Sequence, residues 1–255
     1  MVGGVKDRLK NAFIFLGKFI FIKMDNYENA MKYIEQQETT EISYVKIGNN
    51  NKKLIVTFGS NAHDGFERKS SLMKLKYERN DLDVLSLRND SKWYLGGLKG
   101  IGKNINHTIS FLRKEFAKYD KVCCVGNSAG GYASLLFGSL LKVNKVITFN
   151  AQTDLQYCID NIDPSCDRIH EKQNLINRSK QCLVTWKKYN KIVNVLNGNV
   201  TYNVYYKGDV ECNPGYDRVV HGDYHYDQIK SFPSVSKSNS GPKEVIPLIE
   251  KFLEE

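Results

Sequence analysis

The sequence predicts a three-layer α/β/α sandwich built on a mostly parallel central sheet. Short β-rich runs alternate repeatedly with longer helical segments, the pattern of a parallel sheet covered by helices on both faces. The chain has 255 residues, 41% hydrophobic and 25% charged, with no long apolar run. That length and composition fit one large globular domain, residues 1 to 255, rather than two small ones.

The elements follow in order along the chain. "NYENAMKYIEQQ" (26 to 37) has helical character, and "EISYVKIG" (41 to 48) alternates like a half-buried strand. "KLIVTFGS" (53 to 60) is a continuous buried run ending at Gly59, and "DVLSLR" (83 to 88) is a further strand. After a loop with Trp93 and two glycines, a helix runs from about Ile101 to Tyr119, with Ile105, Ile109, Leu112 and Phe116 at core spacing. "KVCCVGN" (121 to 127) is a strand, and from Ala129 to about Leu141 the pattern turns helical. "KVITFNAQTDL" (145 to 155) reads as a strand with a polar loop at its C-terminal end. Residues 156 to 198, rich in charges and asparagines, suggest a rim or cap excursion. "VTYNVYYKGD" (200 to 209) is a clear strand. "YDRVVHGDYHYD" (216 to 227) reads as the last strand with His225 in the loop beyond it; "IKSFPSV" is the alternative. "PKEVIPLIEKFLEE" (242 to 255) is an amphipathic terminal helix, "SVSKSNSG" (234 to 241) reads as a loop, and no internal repeat is present.

The net charge of +9 comes from lysines scattered among acidic residues, without zinc spacing, a basic helix or an RNA-binding signature. It is read as a solvated basic surface, and no nucleic-acid partner is expected. The segment "VKDRLKNAFIFLGKFIFIK" near the N-terminus is interrupted by Lys18 and lacks a small-residue cleavage site, so no stable membrane insertion is expected; a membrane-surface role stays open. Cys123 and Cys124 are adjacent on a strand, so they point to opposite faces as small core residues. No CxxC pair appears, and a cytoplasmic protein with reduced thiols requires the fewest assumptions about Cys158, Cys166, Cys182 and Cys212.

"GNSAG" (Gly126, Asn127, Ser128, Ala129, Gly130) fits G-x-S-x-G and lies between a strand and a helix. A sharp strand-to-helix turn exposes the serine Oγ above the sheet, and tiny neighbours let strand and helix pack around it. The helix N-terminus adds a positive end for developing negative charge. On this motif in this setting the chain resembles α/β-hydrolases, from "KLIVTFGS" to the terminal helix. Within that family "GNSAGGYASLLFGSLLKVNKVITFNAQTDL" further resembles hydrolase-like proteins encoded near bacterial polysaccharide genes.

The resemblance implies a Ser-His-Asp triad in the chain order serine, acid, histidine. Ser128 is then the nucleophile and Asp209, ending its strand where the family places the acid, orients the histidine; Asp154 and Asp217 are competing acids. Only His221 and His225 follow Asp209, and His225 fits a "G-D-x-H" ending, with His221 the alternative. If "IKSFPSV" is the last strand, the family's histidine belongs near "SNSGP", which has none. The oxyanion hole falls to the Ala129 amide and to Ser60 or Asn61 in "FGSNAHDGF", where His63 also lies. Tyr132, Trp93 and Tyr94 are candidates for the pocket wall or for ordinary packing. No metal or other cofactor is expected, since His221 and His225 lack a third ligand. The expected activity is a serine hydrolase cleaving an ester or other acyl bond of a small molecule or glycan. The alternatives are an acyltransferase acting on a glycan and a catalytically silent fold used for binding.

Overall fold

The computed structural model describes residues 26–48, 51–60, 66–79, 81–89, 93–162, 169–206, 218–239 and 241–255. Among the described residues, seven strands form one sheet: β1 (Tyr44–Ile47), β2 (Lys53–Phe58), β3 (Leu82–Leu87), β4 (Lys121–Asn127), β5 (Lys145–Phe149), β6 (Thr201–Tyr205) and β7 (Val235–Lys237). Their spatial order is β1-β3-β2-β4-β5-β6-β7. β1 runs antiparallel to β3, and every other neighbouring pair is parallel. β4, which leads into the serine, therefore sits centrally between β2 and β5, and loops from both neighbours flank its C-terminal end.

Helices cover both faces. On one side lie α1 (Tyr27–Glu38), α2 (Lys69–Glu78) and the terminal α9 (Val245–Glu254), which share a core cluster with Ile55, Val84, Cys123 and Ile147. On the other lie α3 (Ile105–Phe116) and α4 (Ala129–Leu141), whose cluster includes Leu54, Val56, Cys124, Val146 and Val204. The alternation of strand side chains produces this division, so Cys123 and Cys124 enter opposite cores as adjacent strand residues must. The predicted helix from Ile101 begins only at Ile105, because Asn104 caps it through the His107 amide and Leu98 bridges Gly102 just before it.

Between β5 and β6 the described residues include the α-helices α5 (Leu155–Asn161), α6 (Ile169–Gln181) and α7 (Leu183–Tyr189). Residues 169–206 bury Leu175, Trp186, Tyr189 and Ile192 against the α4 side of the core. Between β6 and β7 comes α8 (Arg218–Asp227). This corrects the expected last strand at 216 to 227. Buried His221, Gly222, His225 and Ile229 recur at helical spacing, and that face packs on the loop after β5. The last strand is β7, which lies within the segment 234 to 241 that the sequence suggested was a loop. No helix among the described residues is long and apolar enough to cross a membrane.

Candidate active site at the end of the central strand

Ser128 occupies the single residue between β4 and α4, with φ 53° and ψ −122°. A non-glycine residue in this region costs roughly 1–3 kcal/mol and persists only where its surroundings impose it. Its amide donates to the Phe149 carbonyl at 2.9 Å, and its carbonyl accepts from the Tyr132 amide at 3.0 Å, so both neighbouring elements hold the turn. The glycine spacing follows from contact. A Cβ on Gly126 would lie 2.1 Å from the Gly130 oxygen, and one on Gly130 would lie 2.0 Å from the Phe58 oxygen. Strand, helix and β2 thus meet backbone to backbone around the serine. Ala129, fully buried, begins α4, whose first amides have no intrahelical acceptor.

The second oxyanion donor is constrained by an acid that sequence reasoning missed. The Ser60 amide donates to Glu67 Oε1 at 2.6 Å, so that N–H is already committed to a carboxylate. Asn61 and His63 lie outside the described residues, as do Asp209 and Asp217. Trp93, Tyr94 and Tyr132 are at most 1% exposed, and they pack as core. The Tyr94 hydroxyl donates to the Gly59 carbonyl at 2.8 Å and steadies the loop after β2, while the Tyr132 hydroxyl ties α4 to the Tyr189 carbonyl at 2.8 Å.

The loop after β5 holds the other flank. Gln152 Nε2 donates to Ser128 Oγ at 3.3 Å. The next residue, Thr153, grips His225: its amide donates to Nδ1 at 3.2 Å and its hydroxyl to the His225 carbonyl at 2.9 Å. Because Nδ1 accepts the Thr153 N–H, its lone pair is occupied and the ring proton sits on Nε2, which faces Cys158 Sγ at 3.6 Å. His225 is therefore one residue removed from the serine's partner, but its ring is engaged with Thr153 and Cys158. Burial, and then the nearby His221, push its pKa down to about 3, with Asp154 opposing.

His221 lies one turn earlier on the same face of α8, and the Tyr157 ring meets it and His225 edge-on at 5.2 and 5.6 Å. Asp154, the competing acid, has both carboxylate oxygens engaged. Its Oδ1 caps α5 by accepting from the Gln156 and Tyr157 amides, each at 3.0 Å, and its Oδ2 takes the Tyr224 hydroxyl at 3.1 Å and Lys191 at 3.2 Å. The structure thus brings Ser128, Ala129 and the β2 loop together, and sets His225 beside them on a separate hydrogen-bond set. In the strand order seen here the last strand is followed by residues 238–241, Ser-Asn-Ser-Gly, without a histidine. No motif marks Gln152 or Thr153; their one sequence signal is a polar loop at the C-terminal end of a buried strand next to the elbow.

A central parallel sheet of this order, an antiparallel first strand and a serine at a strained strand-to-helix turn define an α/β-hydrolase fold. No protein-family model and no curated protein matches the sequence. Among solved structures, the chain is similar to an inhibited esterase B from Lactobacillus rhamnosis, with TM-score 0.51 and 12% identity, covering 74% of this chain and 66% of that one. It is similar to the capsule O-acetyltransferase of Neisseria meningitidis serogroup A, with TM-score 0.53 and 10% identity over 83% of this chain and 88% of that one. An α/β-hydrolase enzyme from the metagenome of lagoon sediments at Mar Chica, Morocco, gives TM-score 0.50 and 13% identity over 84% and 95%. At these identities the likeness is one of fold.

Proposed function

We propose that the protein is a serine hydrolase that cleaves an ester or other acyl bond through Ser128. The observation that carries this reading is the positive φ of Ser128, a backbone strain held by Gly126, Gly130 and the Phe149 carbonyl at the end of the central strand. A tight turn made only for packing has no need of a strained serine. Ser128 Oγ bonds to the acyl carbon, the C–O bond to the alcohol breaks, and the alcohol leaves with a proton; water then adds to the acyl-enzyme and releases the acid and Ser128. The Ala129 amide holds the oxyanion, and the second donor falls to Asn61, because the Ser60 amide is bonded to Glu67. In this reading His225 is the proton carrier and Asp209 its orienting acid, and His225 must exchange its Thr153 bond for Ser128 Oγ when substrate enters. His221 is the alternative carrier. A glycan hydroxyl replacing water would make the same chemistry an acyl transfer.

A second reading is favoured by a specific observation: both ring nitrogens of His225 face Thr153 and Cys158, and residues 238–241 hold no histidine. This is a catalytically silent α/β-hydrolase fold used for binding. A fluorophosphonate probe separates the two readings. The hydrolase is labelled, labelling disappears in Ser128→Ala, and it falls at least about 100-fold in His225→Ala. Folded wild-type protein that stays unlabelled would establish the silent fold, and loss in His221→Ala alone would transfer the proton role to His221.

A further inference from the structure

Gln152 presents a two-ended amide at the nucleophile. Its Nε2 is on Ser128 Oγ at 3.3 Å, while its Oε1 is buried and has no hydrogen-bond partner among the described residues. The residue is 5% exposed, so bulk water does not relieve that acceptor, and a substrate hydroxyl reaches it only in the rearrangement that frees His225 from Thr153. The two amide heavy atoms are about 2.3 Å apart, which puts Oε1 within roughly 5.6 Å of Ser128 Oγ. Turning the amide over would only exchange an unpaired acceptor for an unpaired donor at the same place.

The strand order says which part of a substrate would lie there. The loop after β2 stands on one flank of β4, and the loop after β5, carrying Gln152 and Thr153, stands on the other. With the oxyanion turned toward the Ala129 and β2 flank, the leaving oxygen faces the β5 flank. The histidine that protonates it is held there by Thr153. We propose that Gln152 is a specificity-determining residue whose Oε1 accepts a hydrogen bond from a free hydroxyl on the alcohol side of the substrate. The preferred substrate class is then a partly acylated polyol, in which an unmodified hydroxyl stands beside the ester, rather than a hydrocarbon ester. This inference rests on the Ser128 hydrolase reading.

The test compares 2-hydroxyethyl acetate with 2-methoxyethyl acetate, which differ by methylation of that one hydroxyl, by acetate release, alongside fluorophosphonate labelling. Wild type is expected to favour the hydroxy ester in kcat/KM by about 10-fold or more, because the methyl ether leaves the buried acceptor unpaired. Gln152→Met removes the acceptor, and the preference collapses toward unity. Gln152→Glu restores an acceptor, and the preference returns. A labelled wild type that does not discriminate, or turns over neither ester, overturns the Gln152 assignment alone, as does a Gln152→Met protein that keeps the preference. Absence of labelling overturns the Ser128 reading and this inference together.

Discussion

His225 is 3% exposed, with Thr153 on one ring nitrogen and Cys158 facing the other, and it stays neutral in the folded protein down to about pH 3. In the unfolded chain a histidine takes up its proton near pH 6.5. Between these values the unfolded state binds the extra proton. The stability from this residue is therefore complete above about pH 6.5 and is lost as pH falls toward about 3, by at most about 1.4 kcal/mol per pH unit. Urea unfolding of wild type and His225→Asn between pH 7 and pH 4 checks this. The variant is expected to lose stability less steeply, and equal slopes would mean that another group governs acid unfolding. The same desolvation bears on catalysis: a base this reluctant to take a proton needs the negative charge of an oxyanion, or a rearranged site, before it accepts one.

At the scale of elements, the junction of β4 and α4 depends on glycines that approach backbone directly. Gly130→Ala would set a methyl 2.0 Å from the Phe58 oxygen, and α4, buried from Ala129 to Ser139, has no room to retreat from β2. A loss of about 3 kcal/mol or more in unfolding free energy is expected, together with loss of fluorophosphonate labelling. A variant of wild-type stability would show that the helix can shift. This junction was legible in the sequence because its constraint is local: five residues of a motif, a buried run before them and a helical run after. α8 was not legible, since "HGDYHYD" alternates polar and apolar residues like a strand. Only its packing on the β5 loop reveals that His221, His225 and Ile229 form one helical face.

For the whole molecule, the central sheet separates two cores that share strands β1 to β6, so neither can melt without stripping one face of the other's scaffold. Ile55 belongs to the α1, α2 and α9 side, whereas Trp93 and Trp186, the two tryptophans of the chain, belong to the α3 and α4 side. Ile55→Ala is expected to cost about 2–4 kcal/mol and to lower the melting temperature seen by tryptophan fluorescence as much as that seen by far-ultraviolet circular dichroism. A smaller shift in fluorescence would show that the two faces unfold separately.

By itself the sequence determined the α/β/α architecture and the place of Ser128, because hydrophobic period and glycine spacing are written in neighbouring residues. Only the tertiary structure decided what surrounds that serine. Gln152 comes to it from the loop after β5, while Glu67 and His225 reach the neighbouring Ser60 and Thr153, through the order in which the strands associate. Their hydrogen bonds, Ser60 to Glu67 and Thr153 to His225 among them, depend on which loops that order makes adjacent. Contacts between residues 72 positions apart leave no periodic trace in a single sequence, since they are chosen by packing and by the need to pair buried polar groups.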